Sequence, residues 1–238
     1  MTQDSKKAHA SDNNSSSLAL NKLRAAVLGA NDGIVSISSV VMGVAGATSS
    51  RGVIFTAGMA ALVAGALSMA VGEYVSVSSQ SDAEKSYIKK EKQELLDDPD
   101  GEFEELVDAY IARGVNAKTA RIVAKELTAD NALKAHLHIE FNLDQDDISS
   151  PLHAAIASLL SFTVGGIIPF LTMIFAPTST RITLTVVAVV CALALTGYAS
   201  AYVGNASRTR AIGRVLIGGA LAMAITYSIG KLFGAVIS

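Results

Sequence analysis

The chain has 238 residues, of which 50% are hydrophobic and 17% are charged, and its formal net charge is −2. It has no tryptophan and no basic aromatic patch, which argues against a nucleic-acid-binding protein, and its single cysteine excludes an intrachain disulfide. The charges are concentrated between residues 73 and 147 and are nearly absent on either side. This segregation indicates a membrane protein more strongly than the composition does.

Five apolar segments follow the first 20 residues, and each reaches the roughly 20 residues that a helix needs to cross a bilayer. They cover residues 25–48, 52–72, 152–180, 182–207 and 215–238. Glycine is frequent inside them, as expected where membrane helices pack closely, and they lack the polar faces of helices in a soluble bundle. The sequence therefore predicts two transmembrane helices within residues 21–73 and three within residues 148–238.

The basic residues predict the orientation. With the amino terminus inside, 16 of the 19 lysines and arginines lie on the inner side and 3 on the outer side. The positive-inside rule then gives a cytoplasmic amino terminus, a cytoplasmic middle region and an outside carboxyl terminus. Residues 1–20 are polar and Ser/Asn-rich, which predicts a disordered cytoplasmic tail.

Residues 74–147 form the middle region, and their apolar spacing is helical. The second membrane helix has no stop signal before the break at residues 97–101, so one helix is expected over residues 52–96. Further helices are expected from about Glu102 to Gly114 and over residues 117–141. The predicted fold is an all-α membrane protein with five transmembrane helices and a cytoplasmic three-helix metal-binding domain inserted between helices 2 and 3.

One acidic residue lies inside the first apolar segment. Asp32 shares a helix face with Ser36, four residues on, and an acid at membrane depth costs about 2.5–3.5 kcal/mol on insertion scales. In the second segment Met69 and Glu73 are spaced i, i+4. We expect Asp32, Ser36, Met69 and Glu73 to line a path for a divalent ion. The alternatives are a structural hydrogen-bonded Asp32, a core methionine, and a glutamate that marks the membrane boundary.

Carboxylates and an imidazole recur at helical spacing in the middle region. The residues concerned are Glu91, Glu94, Glu102, Glu105, His136 and Glu140. Two glutamate pairs at i, i+3 flank the Asp-Pro-Asp-Gly break, and the imidazole and the last glutamate are spaced i, i+4 on the third helix. Carboxylates brought this close repel one another unless a cation binds, as in di-metal helical bundles. The alternative is a solvated acidic face paired with neighbouring lysines.

Five stretches of the chain resemble the vacuolar iron transporter family. They are LRAAVLGANDGIVSISSVVMGVAGA, GALSMAVGEYVSVSSQSDAEK, KKEKQEL, DPDGEFEEL and NASRTRAIGR. The resemblance covers roughly residues 20–238. It implies a homodimer through five-helix membrane domains that exports Fe²⁺, and often Mn²⁺, from the cytoplasm in exchange for protons. It also implies an ion pathway at the dimer interface and a cytoplasmic helical domain that collects metal.

The resemblance also implies residue roles. The family's pore acid and pore methionine fall on Asp32 and Met69, and Glu73 follows in the same motif. Its metal-collecting glutamates fall on Glu91, Glu94, Glu102, Glu105 and Glu140. Where eukaryotic members carry two methionines, this chain has His136 and Leu137. An imidazole keeps affinity for Fe²⁺, Mn²⁺, Co²⁺ or Zn²⁺ but makes that affinity more dependent on pH.

The sequence as a whole thus predicts a proton-coupled antiporter that exports a divalent metal, with Fe²⁺ as the first candidate ion and Mn²⁺, Co²⁺ or Zn²⁺ as others. The expected location is a bacterial inner membrane. No nucleophile–base pair or phosphate loop is recognisable, so an enzyme is not expected. The alternative function is a metal-sensing membrane protein that binds iron on its cytoplasmic bundle and recruits a partner without transport.

Overall fold

The structure is a computed structural model that describes residues 3–143 and 150–237, with side chains described over residues 25–143 and 150–236. Within these ranges every regular element is a helix. The helices are α1 Gln3–Ala47, α2 Arg51–Asp97, α3 Pro99–Ala112, α4 Ala117–Glu140, α5 Pro151–Phe175, α6 Arg181–Val203 and α7 Arg208–Ile237. The expected all-α class is confirmed for the described part of the chain.

Five of these helices are long and apolar enough to cross a membrane. The helices or helix parts concerned are Ala25–Ala47, Arg51–Asp97, Pro151–Phe175, Arg181–Val203 and Arg208–Val236. Each overlaps one of the five segments predicted from hydropathy, and the second continues well beyond the predicted apolar segment of residues 52–72. The second is a single helix of 47 residues, about 70 Å long at 1.5 Å per residue, as the missing stop signal predicted.

Helix α1 begins near the amino terminus and is continuous from Gln3 to Ala47. The disordered cytoplasmic tail over residues 1–20 stays a prediction from composition. Extending a helix that has already formed adds one hydrogen bond for each residue fixed, so propagation needs much less than nucleation. Residues 3–24 contain no proline or glycine that would stop the helix.

The chain divides into two compact units. The first, here called the apolar unit, comprises Met1–Glu73 and Ala155–Ser238, and the second, the acidic unit, comprises Tyr74–Ala154. Helix α2 therefore contributes to the apolar unit up to Glu73 and to the acidic unit from Tyr74 onwards.

Helix α1 supplies the centre of the apolar unit. Its residues Ile34, Ile37 and Val41 are at most 1% exposed and belong to a core shared with the other apolar helices. Close approach depends on glycine: a Cβ at Gly33 or at Gly165 would overlap the backbone of the facing helix. This close packing is what the glycine-rich apolar segments predicted.

Two arginines tie together the connections α1–α2 and α5–α6. Arg51 donates from Nη2 to the carbonyl of Ala176 at 3.2 Å, and Arg181 donates from Nη1 to the carbonyl of Ser49 at 3.2 Å. Arg181 is 3% exposed. Its buried charge is compensated by carbonyl oxygens that follow the end of α1, where the helix dipole is negative.

The acidic unit is built by turns that the sequence encodes. Asp98 caps α3 by accepting from the amide of Gly101 at 2.9 Å, with Pro99 at the first helical position. Helix α4 is not straight: Asn131 has φ −163° and ψ 95°, and its Oδ1 accepts from the amide of Lys134 at 3.0 Å. The expected single helix over residues 117–141 is therefore two helical segments, because Asn131 caps the second one.

Candidate metal centre and membrane groove

Three helices of the acidic unit bring one donor each to a common point. Glu91 lies on α2, Glu102 lies in the first turn of α3, and His136 lies on the second segment of α4. One carboxylate or imidazole atom from each falls within 4.8 Å of the corresponding atoms of the other two. The cap at Asp98 sets the position of Glu102, and the cap at Asn131 begins the segment that carries His136.

The imidazole Nδ1 of His136 is surrounded by carboxylate oxygens. It lies 2.9 Å from Glu140 Oε1, 3.0 Å from Glu91 Oε1 and 3.4 Å from Glu102 Oε2. A ring nitrogen carries at most one hydrogen, so one hydrogen bond cannot satisfy three carboxylates. This arrangement leaves negative charge that a cation can neutralise.

The cluster is enclosed and its donors are not all satisfied. The side chains of His136 and Glu91 are 0% and 2% exposed. Among the described residues, Glu91 Oε1 and His136 Nε2 have no hydrogen-bond partner of acceptable geometry. Because unsatisfied buried polar atoms are costly, these atoms are suited to contact a cation.

Burial and crowding raise the pKa of two carboxyl groups in the cluster. Burial, followed by the charges of Glu140 and Glu102, raises the pKa of Glu91 to about 7. Burial, followed by the charge of Glu105, also raises the pKa of Glu102, while His136 acts in the opposite direction. A cation bound among these groups would favour their charged forms and release protons.

The six residues expected to bind metal do not all lie in this buried cluster. Glu91, Glu102 and His136 form it, and Glu140 contacts the imidazole. Glu94 instead pairs with Lys90, 2.8 Å from Oε2 to Nζ, with its side chain 39% exposed. Glu105 is exposed as well. The donor set of carboxylates and one imidazole suits borderline ions such as Fe²⁺, Mn²⁺, Co²⁺ or Zn²⁺.

A second candidate site lies within the apolar unit. A groove of about 620 Å³ has Asp32 and Met69 in its walls, together with Asn31, Arg214 and aliphatic side chains. The structure thus places the acid and the thioether of two different helices around one space. This is the pair of residues that the sequence analysis assigned to an ion path.

The other residues assigned to that path have different surroundings. Ser36 donates to Asp32 Oδ1 at 3.2 Å, so it supports the acid directly. Ser39, seven residues after the acid on α1, instead donates to the backbone carbonyl of Val35 at 2.7 Å. Glu73 is half-buried at the end of the apolar unit and is not part of the groove lining.

Sequence reasoning missed Asn31 and Arg214 as groove residues. Asn31 directly precedes the acid and accepts from the hydroxyl of Thr196 at 3.4 Å. Arg214 belongs to the NASRTRAIGR stretch, and in the sequence it contributes to the positive-inside pattern. The sequence does mark it as unusual, since residues 148–238 contain no aspartate or glutamate to pair with it.

Comparisons with known proteins agree with the motifs. The model of the VIT family matches residues 23–231, a range that includes the whole cluster and the whole groove. The vacuolar iron transporter of Acanthamoeba castellanii is 43% identical over 211 residues, covering 88% of this chain and 78% of the relative. Vacuolar iron transporter homolog 1 of Oryza sativa subsp. japonica is 38% identical over 213 residues, covering 89% and 74%.

Vacuolar iron transporter homolog 4 of Arabidopsis thaliana is 37% identical over 213 residues, which cover 89% of this chain and 84% of the relative. The resemblance inferred from the motifs is therefore confirmed over nearly the whole chain. The five apolar helices and these matches identify a multi-pass membrane protein. The chain belongs to the VIT family.

Proposed function

We propose that the protein transports Fe²⁺ across a membrane and exchanges it for protons, with export from the cytoplasm as the direction. The single observation that supports transport best is the convergence of Asp32 and Met69 on one groove of the apolar unit. The relatives bear the name vacuolar iron transporter, which agrees with iron as the cargo. Mn²⁺, Co²⁺ and Zn²⁺ are further candidate ions because they accept the same donors.

The groove chemistry supports exchange of metal for protons. A proton and a divalent ion are alternative occupants of the same carboxylate oxygens, since metal ligands must be deprotonated to bind. Metal and proton would therefore compete for Asp32. The hydroxyl of Ser36, which donates to Asp32 Oδ1, would orient the carboxylate towards the groove.

One groove offers a single carboxylate and a single thioether, which is few ligands for a divalent ion. A second copy that faces the first through the membrane helices would double both. This ligand requirement supports the homodimer that the family resemblance implies. In the proposed assembly the ion lies between Asp32 and Met69 of one protomer and the same residues of its partner, and Glu73 lies along the path.

The acidic unit is proposed to be cytoplasmic and to collect metal before transport. Its buried donors Glu91, Glu102 and His136 would hold the ion, with Glu140 beside the imidazole and Glu94 and Glu105 adding negative charge nearby. The 16-to-3 distribution of basic residues supports this orientation. Cations are attracted to a concentrated negative charge, which raises their local concentration.

Reconstitution of the full chain in proteoliposomes tests this proposal. With a metal-quenched dye and a pH dye in the lumen, Fe²⁺ uptake should be accompanied by proton movement in the opposite direction. Asp32→Asn should abolish both signals. Ser39→Ala is the matched control, because its hydroxyl contacts only the backbone and its loss should leave transport unchanged. Normal metal flux in Asp32→Asn would refute the pore assignment.

The buried cluster by itself also fits a second function. A sensor that binds iron on the acidic unit and recruits a partner needs no membrane path. The same vesicles separate the two functions, since a sensor binds Fe²⁺ through Glu91 and Glu102 but moves no metal into the lumen.

A further inference from the structure

Arg214 lies in the wall of the groove that also contains Asp32 and Met69. It is exposed, and it is on α7, whereas the acid is on α1. A fixed positive charge in a proposed cation path is unexpected, because it repels the ion that the path is meant to pass. The arginine therefore needs a physical explanation.

The register of the two helices places both charges at the same level. Helices α1 and α7 run parallel: a Cβ built at Gly43 would lie 3.3 Å from the carbonyl oxygen of Thr226, and one at Gly46 would lie 3.0 Å from the amide nitrogen of Lys231. When this pairing is followed towards the amino-terminal ends of both helices, Asp32 lies level with the turn of α7 that carries Arg214. The groove lining agrees with this alignment.

The charges of the apolar unit leave Arg214 few partners. Over residues 25–73 and 155–236, where side chains are described, the only acids are Asp32 and Glu73. Arg51 and Arg181 donate to backbone carbonyls. Among those described side chains, Arg214 forms no ion pair within 4.0 Å. Asp32 is the one acid that shares its groove.

A guanidinium and a divalent ion compete for the same carboxylate. The planar guanidinium binds a carboxylate with two parallel hydrogen bonds, and its long aliphatic stem lets an exposed arginine reach across a groove. Two cations at one carboxylate repel each other strongly in a medium of low dielectric constant. Arrival of the ion would therefore displace the guanidinium.

We propose that Arg214 is a tethered counter-ion of Asp32, which occupies the carboxylate when no metal is bound and is displaced when a divalent ion enters. The residue thereby weakens metal binding in the groove and makes release easier. This inference rests on the proposed function, since it requires that Asp32 bind the transported ion. In this scheme Arg214 sets how tightly the groove holds the ion and how easily the ion is released, and it does not itself bind the metal.

Metal titration of the full chain in detergent tests the proposal. The background variant carries Glu91→Gln and Glu102→Gln, so that Mn²⁺ used as the probe reports on the groove. Arg214→Gln should bind Mn²⁺ at least about tenfold more tightly, since a lost charge interaction of about 1.4 kcal/mol corresponds to a factor of ten. Arg214→Lys keeps the positive charge, so its affinity should stay within about threefold of the background. Arg210→Gln is the matched control, because Arg210 is exposed on the same helix but outside the groove lining.

The possible outcomes separate the two proposals. If Asp32→Asn leaves Mn²⁺ binding intact in this background, the pore assignment fails. If Asp32→Asn removes binding but Arg214→Gln leaves the affinity unchanged or lowers it, the counter-ion proposal alone fails. If neither the background variant nor Arg214→Gln binds Mn²⁺, the counter-ion proposal is overturned as well. Equal tightening by Arg210→Gln would indicate general surface charge and would also overturn it.

A metal-free measurement provides a second, independent test. In the presence of a chelator, Arg214→Gln should lower the melting temperature by about 2–4 °C when Asp32 is present, which corresponds to loss of an interaction of about 1 kcal/mol in a chain of this size. The same substitution in the Asp32→Asn variant should have no effect, because the partner charge is gone. An equal shift in both backgrounds would show that the two residues do not interact and would overturn the proposal.

Discussion

Glu91 and His136 lie 3.0 Å apart, from carboxylate Oε1 to imidazole Nδ1, with side chains that are 2% and 0% exposed. They come from α2 and from the second segment of α4. Despite this short distance, neither Glu91 Oε1 nor the second ring nitrogen of His136 has a hydrogen-bond partner of acceptable geometry among the described residues. Two candidate metal ligands thus lie together inside the acidic unit, and polar atoms of both lack a hydrogen bond. The experiments on metal binding therefore centre on this pair.

Glu91→Gln should have opposite effects on metal binding and on the stability of the metal-free protein. Loss of a buried ligand is expected to lower Fe²⁺ or Mn²⁺ affinity by about tenfold to a hundredfold. At pH 8 the same change removes a buried charge next to other carboxylates, so the free energy of unfolding should rise by about 1–3 kcal/mol. Calorimetric titration and chelator-treated thermal melts measure the two effects.

Glu104→Gln is the control for that experiment, because Glu104 is half exposed and pairs with Arg121 outside the cluster. It should leave metal affinity unchanged. Equal loss of affinity in the two variants would mean that overall negative charge, and not the buried cluster, binds the ion.

Metal binding to the acidic unit should depend on pH around neutrality. The pKa of Glu91 is raised to about 7, so below pH 7 a proton occupies the group and must leave when metal binds. Affinity should rise by up to about tenfold per pH unit below 7 and level off above it. Titrations in buffers of different ionisation enthalpy should show proton release near pH 6, and Glu91→Gln should reduce it.

The stability of the metal-free protein should change with pH in the opposite direction. Because the folded-state pKa of Glu91 lies above its ordinary value of 4.5, the folded protein binds the proton more tightly than the unfolded chain. This contribution is fully present below about pH 4.5 and is lost as the pH rises towards 7. Thermal melts with a chelator between pH 5 and pH 8 measure the loss, which should be smaller in Glu91→Gln.

Met69→Leu should reduce transport of Fe²⁺ and Co²⁺ more than transport of Mn²⁺. The substitution nearly conserves volume but removes the thioether, a soft ligand that harder ions need less. Met59→Leu is the matched control, since Met59 also packs partly buried against the core of the apolar unit but lies outside the groove lining. Equal loss for all three ions would show that position 69 acts through packing.

Gly33→Ala should destabilise the apolar unit. A Cβ at this position would overlap the carbonyl oxygen of Phe162, which belongs to the backbone of α5 and cannot turn aside. Overpacking of this kind typically costs about 1–3 kcal/mol. Gly213→Ala is the control, because a Cβ there meets nothing within 4 Å. Thermal unfolding in detergent compares them, and equal melting temperatures would contradict the close contact between α1 and α5.

The acidic unit shows what a hydrophobic pattern does not predict. Within α4, the large hydrophobic Ile122 is 52% exposed, whereas the small residues Ala120 and Ala124 are fully buried. A small residue allows α3 and α4 to approach closely, which hydrophobicity alone does not indicate.

The sequence by itself determined the five apolar helices, the break before α3 and the family, and it singled out an acid and a methionine within the apolar helices. These features depend on local properties: length of apolar runs, capping residues and i, i+4 spacing. Only the tertiary structure decided that Glu91, Glu102 and His136 enclose one point while Glu94 and Glu105 stay outside it, and that Arg214 shares the groove with Asp32. Such contacts depend on how separate helices pack, because a helical period fixes which face a side chain is on but not which other helix that face meets.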